Sequence, residues 1–293
     1  MKILITGGAG FIGSNLIKKL LSKYLDIKII NLDNYSTGVE KNHINSKNVI
    51  YIKGNTWDIF SIKEIMEFEP VYIFHFGEYS RIVQSFNEPS KVFLSNSYGT
   101  QQILEFAVLK KSKLIYSGSS AIFGSNDETK NKDLNPYVFT KSKNVELIHK
   151  YKKWFGLNFA ICYFYNVYGP GQISEGNYAT VIGIFENQIK NNQDLTVVYP
   201  GTQTRIFTHI DDIIQGVLLV AEKGEGDGYY LGTKKNISIL ELVKIFNKNY
   251  IFIEPRNGER INSVINENSN KSENEFGWFA KIDIEDYIKS FYK

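Results

Sequence analysis

Tyr137 and Lys141 stand four residues apart in the stretch PYVFTK. On a helix that spacing puts both side chains on one face. A neighbouring ammonium favours the phenolate form of a tyrosine and lowers its pKa, which makes Tyr137 a candidate general base near neutral pH. Ser119 closes the run KLIYSGSS, which reads as a strand. Open α/β sheets hold their ligands at strand ends, and a serine hydroxyl there can donate to, or accept from, a substrate oxygen.

A second set of residues opens the chain. MKILITGGAGFIGS carries the spacing Gly7-x-x-Gly10-x-x-Gly13 directly behind an apolar run. Glycine allows a tight strand-to-helix turn and close approach of backbone to a pyrophosphate, and the third glycine lets the helix pack on the strand. The helix N-terminus then offers free N–H groups and a positive dipole to phosphates. Asp33 follows about 20 residues later at the end of the next strand, where an acid accepts hydrogen bonds from ribose hydroxyls. No Lys or Arg adjoins it in LDNYSTG, and Asp33 would repel a 2′-phosphate, so NAD is expected over NADP. The charged nicotinamide ring of that cofactor would further favour the Tyr137 phenolate. A Tyr-x-x-x-Lys pair arises readily among 19 tyrosines, but here it follows the fifth strand of a dinucleotide fold.

The elements that must position these residues alternate. KILIT, DIKIINLDN, NVIYIKGN, VYIFHFG, KLIYSGSS and NFAICYFYNVYGP read as strands. Between them SNLIKKLLSKY, SIKEIMEFEP, SKVFLSNSYGTQQILEFAVLKK and PYVFTKSKNVELIHKYKKWFG read as helices. Continuous apolar strands separated by helices predict a doubly wound parallel sheet covered on both faces, a Rossmann-type α/β fold. The rhythm breaks after about residue 169. Helices at VIGIFENQIKNN, IDDIIQGVLLVAEK and SILELVKIFNK and strands at LTVVY and GYYLGT follow. The predicted layout is an NAD-binding domain of residues 1–168 plus 205–233, with a smaller mixed α/β substrate lobe of residues 169–204 plus 234–293.

Composition narrows the class. The chain has 293 residues, 43% hydrophobic and 22% charged, with net charge +3. That balance is ordinary for a globular protein and gives no reason to expect nucleic acid or membrane as a partner. Cys162 is the only cysteine, so no internal disulfide and no multi-cysteine metal site can form, and no metal is expected. The apolar run Ile3–Ile5 is too short for a signal peptide, and a cytoplasmic location is expected.

Together these stretches resemble the extended short-chain dehydrogenase/reductases, the NAD-dependent epimerase/dehydratase family acting on nucleotide sugars. The matching segments are TGGAGFIGS, LDN, GNTWDI, FHFG, NSYGT, SGSSAIFG, YVFTK, YNVYGPG, GTQTRIFTHIDD and PRNGE. The resemblance implies that Gly7, Gly10, Phe11, Ile12 and Gly13 hold the NAD pyrophosphate. It places Asp33 and Asn34 at the adenosine ribose, Asp58 and Ile59 at the adenine, and Phe76 and Gly77 against the cofactor. Lys141 would hold the nicotinamide ribose, and Ser119 and Tyr137 would face the reacting sugar hydroxyl. Asn166 would contact the sugar nucleotide, and Arg205 and Arg256 would bind its diphosphate. Helices of this family pair across a two-fold, so a homodimer through the helices around 91–110 and 137–155 is expected.

The departures are informative. The family's hexose 4,6-dehydratases carry an acid pair just after the catalytic Ser/Thr; here Ser120 and Ala121 stand in those places. Dehydration needs a general acid and a base, which these residues do not supply. Glu78 and Arg81, in FHFGEYSRIVQSF, replace small or neutral residues. Both are expected near the sugar pocket, either binding an atypical sugar or pairing with each other. The expected activity is a nucleotide-sugar 4-epimerase. The alternatives are a 4-dehydrogenase or 4-reductase, a 4,6-dehydratase, and a catalytically silent NAD-binding scaffold. Nothing in the sequence separates UDP, GDP and dTDP.

Overall fold

The computed structural model describes residues 1–123, 135–255 and 271–292. Strand β1 (Lys2–Thr6) leads into helix α1 (Phe11–Lys23), then β2 (Lys28–Asp33) and β3 (Val49–Lys53). Short helix α2 (Lys63–Met66), β4 (Tyr72–His75), α3 (Ile82–Asn87), α4 (Pro89–Val92) and α5 (Gly99–Lys110) follow, then β5 (Lys113–Ser119), α6 (Pro136–Phe155) and β6 (Phe159–Phe164). Next come β7 (Asn166–Tyr168), α7 (Val181–Lys190), β8 (Leu195–Val198), β9 (Thr204–His209), α8 (Ile210–Lys223) and β10 (Gly226–Leu231). The chain closes with β11 (Asn236–Ser238), α9 (Ile239–Phe246), β12 (Tyr250–Ile253), α10 (Lys271–Phe276) and α11 (Ile284–Phe291).

Seven strands form one sheet in the order β10-β6-β5-β4-β1-β2-β3. Every pairing in it is parallel. This is the doubly wound Rossmann-type sheet that the alternating pattern predicts. Strand order reverses between β1 and β4, the point where such sheets open a crevice. One face is covered by a core including Leu4, Ile73, Ile103, Leu104 and Ile148, the other by Ile5, Leu16, Ile17, Ile213 and Val217. At about 25 cal/mol per Å² of buried apolar surface, these two layers dominate the fold's stability.

A smaller assembly stands beside this sheet. β7 and β9 pair in parallel and β9 and β11 antiparallel, while β8 and β12 form a separate parallel pair. Its core gathers Tyr168, Phe185, Val197, Leu242 and Ile288. Trp278 packs instead with the main core, beside α8.

Three expectations need correction. SIKEIMEFEP (61–70) is not one helix: Ser61 ends a 3₁₀ turn begun at Thr56, Ile62 is extended (φ −93°, ψ 103°), and α2 is a single turn. Pro70 confines the residues at its end to non-helical backbone. The long helix at residues 90–111 is composite, because Phe93–Tyr98 wind as a π-helical segment between α4 and α5. The sixth strand divides at Tyr165, so that β6 stays in the main sheet and β7 crosses to the small one. Among the described residues no helix is long and apolar enough to cross a membrane.

Candidate active site

A cleft of about 540 Å³ runs along the C-terminal ends of the strands and between the two sheets, a size that accepts a cofactor or small ligand. One end is the β1–α1 turn. Gly7 adopts φ +77°, and a Cβ there would lie 2.8 Å from the Gly77 nitrogen. A Cβ on Gly13 would lie 2.4 Å from the Gly7 carbonyl oxygen. Gly10 caps α1 with no side-chain hydrogen bond, which leaves the first-turn N–H groups facing the cleft. A cradle that any side chain would fill, at a helix N-terminus, fits a dinucleotide pyrophosphate.

The loop is braced from β2. The Gly8 N–H donates to Asn31 Oδ1 at 2.7 Å, and the Ala9 N–H donates to Asp33 Oδ2 at 2.9 Å. Asp33 Oδ1 accepts from the Tyr35 N–H at 2.9 Å. Burial raises the Asp33 pKa, opposed by the backbone donors of Tyr35 and Ala9. Asp33 thus lines the cleft while also holding the glycine turn in place. Asn34 donates to Asn55, which donates to Asp58, a chain of side chains along the β2 and β3 ends. Asp58 and Ile59 are not brought to the cleft wall, and the Ile59 side chain is buried in the core. Both lie in the 3₁₀ turn Thr56–Ser61, which sets this orientation.

The other end of the cleft is built by β5 and α6. Asn135 caps α6 by accepting from the Val138 N–H at 2.9 Å, and Pro136 occupies the first turn, where its fixed φ suits a helix start. This start sets Tyr137 and Lys141 into the cleft wall with Ser119 and Ser120. Tyr137 is buried, and among the described residues no side chain hydrogen-bonds its hydroxyl. Ser119 Oγ accepts from the Ala121 N–H at 3.2 Å. Phe76, Gly77, Asn166 and Arg205 line the same cleft, together with Phe11 and Ile12. Asn166 Nδ2 donates to the Ile206 oxygen at 3.1 Å, fixing β7 to β9. Arg256 lies outside the described residues.

Lys141 is committed differently from the expectation that it only faces cofactor and phenol. Its ammonium is ion-paired with Glu78 and donates to the Ser117 oxygen at 2.6 Å. Glu78 accepts further bonds from Asn144 at 2.8 Å, Thr100 at 2.9 Å and Tyr116 at 3.0 Å. Glu78 and Arg81 are therefore not partners. Arg81 turns the other way and donates to the backbone oxygens of Tyr178 and Ser80.

His75 extends this network to β1. It lies 2.7 Å from Thr6 Oγ1 through Nδ1 and 2.9 Å from Thr100 Oγ1 through Nε2. Thr100 gives its one proton to Glu78, so its oxygen accepts from Nε2–H and the Nδ1 side accepts from Thr6. Burial pulls the His75 pKa down to about 4. Sequence reasoning missed Thr6, Thr100, Tyr116 and Asn144. The one signal for Asn144 is its place three residues after Lys141, on the same helix face.

Comparison with known proteins agrees with this construction. The family model described as NAD dependent epimerase/dehydratase family matches residues 3–232. A dTDP-D-glucose 4,6-dehydratase of Dictyostelium discoideum is 33% identical over 83% of the chain and 61% of that protein. A putative UDP-glucose 4-epimerase of Methanocaldococcus jannaschii is 31% identical over 98% of the chain and 96% of its own length. The crystal structure of a UDP-glucose 4-epimerase of Thermotoga maritima with UDP-glucose superposes with a TM-score of 0.91 at 26% identity, covering 100% of this chain and 98% of the other.

Proposed function

The chain belongs to the NAD-dependent epimerase/dehydratase family, with NAD as its cofactor, and on that premise we propose that it is a nucleotide-sugar 4-epimerase. NAD, when bound, would supply the reversible hydride acceptor that C4 inversion needs. Gly7, Gly10 and Gly13 would hold the pyrophosphate at the α1 N-terminus, and Asp33 would take the adenosine ribose. Tyr137, whose hydroxyl has no side-chain partner among the described residues, removes the O4 proton as the hydride leaves and gives it back on return. Ser119 holds the same oxygen by a hydrogen bond. Asn166 and Arg205 would hold the nucleotide's diphosphate end, the arginine as a charge-assisted donor. The smaller assembly, built on β7, β9 and β11 with the β8–β12 pair, would serve as the substrate lobe.

One observation favours epimerisation over dehydration. The acids among the described residues lining the cleft are Asp33 and Glu78. Asp33 is at the glycine-turn end and Glu78 is bonded to Lys141, so among the described residues no cleft carboxyl group is free to act at C5 or C6. The similarity to the Dictyostelium dehydratase favours the second reading, a 4,6-dehydratase. Incubation with UDP-, dTDP- and GDP-hexoses, followed by NMR, decides between them. Inversion at C4 is expected; a 4-keto-6-deoxy product, or no change with nucleotide sugar bound, overturns the proposal.

A homodimer is part of this reading. Phe93, Leu94, Tyr98, Trp154 and Phe155 on the segments around α5 and α6 are exposed, while Val92, Ile103 and Ile148 are buried within the chain. Light scattering at micromolar concentration should give twice the chain mass.

A further inference from the structure

The two unusual charges at the β4 end have separate fates, and the inference drawn from them rests on the nucleotide-sugar reading. Glu78 is neutralised inside the fold by Lys141. Arg81 is partly buried in the cleft wall, and its fixed contacts are neutral: Nε and Nη2 donate to the Tyr178 oxygen, Nη1 to the Ser80 oxygen at 3.0 Å. Among the described residues it has no carboxylate partner, and the groups it feels electrostatically are the phenols of Tyr137, Tyr178 and Tyr79. A partly desolvated cation is unfavourable until an anion meets it. Among the described residues three of the five guanidinium N–H groups are used, which leaves one on each Nη, the number needed for a two-pronged carboxylate contact.

Arg81 stands at the reaction end of the cleft, with Tyr137, Ser119 and Ser120. Arg205 comes from β9, in the other sheet. We propose that Arg81 recognises a carboxylate carried by the sugar itself, so that the substrate class is a nucleotide sugar with an acidic hexose. The backbone acceptors of Tyr178 and Ser80 hold the guanidinium in place without satisfying its charge, and that duty falls to the ligand.

The test is calorimetric titration of the NAD-loaded protein with UDP, UDP-glucose and UDP-glucuronate, in wild type, Arg81→Met and Arg81→Lys. Wild type should bind UDP-glucuronate about tenfold or more tighter than UDP-glucose, as a charge-assisted contact implies. Arg81→Met should bring the two sugars to parity and leave UDP binding unchanged, and Arg81→Lys should keep part of the preference. Equal binding of both sugars by wild type overturns the inference, as does a preference that survives in Arg81→Met. Equal weakening of both sugars by Arg81→Met, with no preference in wild type, shows Arg81 to be only a tether for Tyr178. Failure of UDP to bind overturns the nucleotide-sugar reading, and this inference with it.

Discussion

Lys141 and Glu78 form an ion pair sealed from solvent, with side chains 5% and 1% exposed. The lysine read from the sequence as serving cofactor and phenol thus has a permanent counter-charge 63 residues earlier in the chain. Removing one member leaves the other charged in a dry site, which costs about 3–5 kcal/mol. Glu78→Ala should lose that much in urea unfolding. The double variant Glu78→Met/Lys141→Met should recover most of it, because well-packed apolar replacements of a buried pair are often neutral. A Glu78→Ala protein as stable as wild type would disprove the account.

Tyr137→Phe removes one hydroxyl that has no side-chain partner among the described residues. Folding should persist, bound NAD should stay, and turnover should fall about 10²–10⁴-fold, the usual contribution of a positioned acid–base group. Steady-state kinetics together with cofactor content after gel filtration separates loss of chemistry from loss of binding. Turnover within a few-fold of wild type would remove Tyr137 from the mechanism.

Gly13→Ala places a methyl group 2.4 Å from the Gly7 oxygen and 2.6 Å from the Gly8 Cα. Backbone atoms cannot rotate away as a side chain can. The turn must open, at a cost of order 1–3 kcal/mol, and NAD should be lost on gel filtration. Retention of NAD with unchanged thermal stability would show that the turn does not cradle the cofactor.

The depressed His75 pKa makes stability depend on pH. Its folded value of about 4 lies below the ordinary 6.5, so the unfolded chain takes the proton first. The contribution is complete above pH 6.5 and is lost as pH falls from there toward 4, roughly 3 kcal/mol in all. Unfolding free energies of wild type and His75→Gln, compared between pH 7 and pH 4.5, should converge on acidification as wild type loses the larger amount. Parallel curves would contradict the assignment.

How much of this was legible in sequence depends on the distance over which each residue is determined. The glycine turn, the alternation of strands and helices and the shared face of Tyr137 and Lys141 are local patterns, and they were legible because a turn or a helix fixes them within a few residues. Glu78 was visible only as an unexpected charge, because its partners Thr100, Tyr116, Lys141 and Asn144 meet it through the packing of α5, β5 and α6. Ile59 was placed at the adenine by resemblance alone; in the fold it lies in the 3₁₀ turn Thr56–Ser61 with its side chain in the core. Strands β7 and β11 span three residues each, too short for alternation to show.

The polar line from Thr6 through His75, Thr100 and Glu78 to Lys141 reaches from the first strand to the reaction end of the cleft. An engineer who transplants a different dinucleotide loop onto this scaffold must therefore carry the threonine along. Exchange of that one hydroxyl at the start of the chain would strip His75 and the Gly77 N–H of the partner they share.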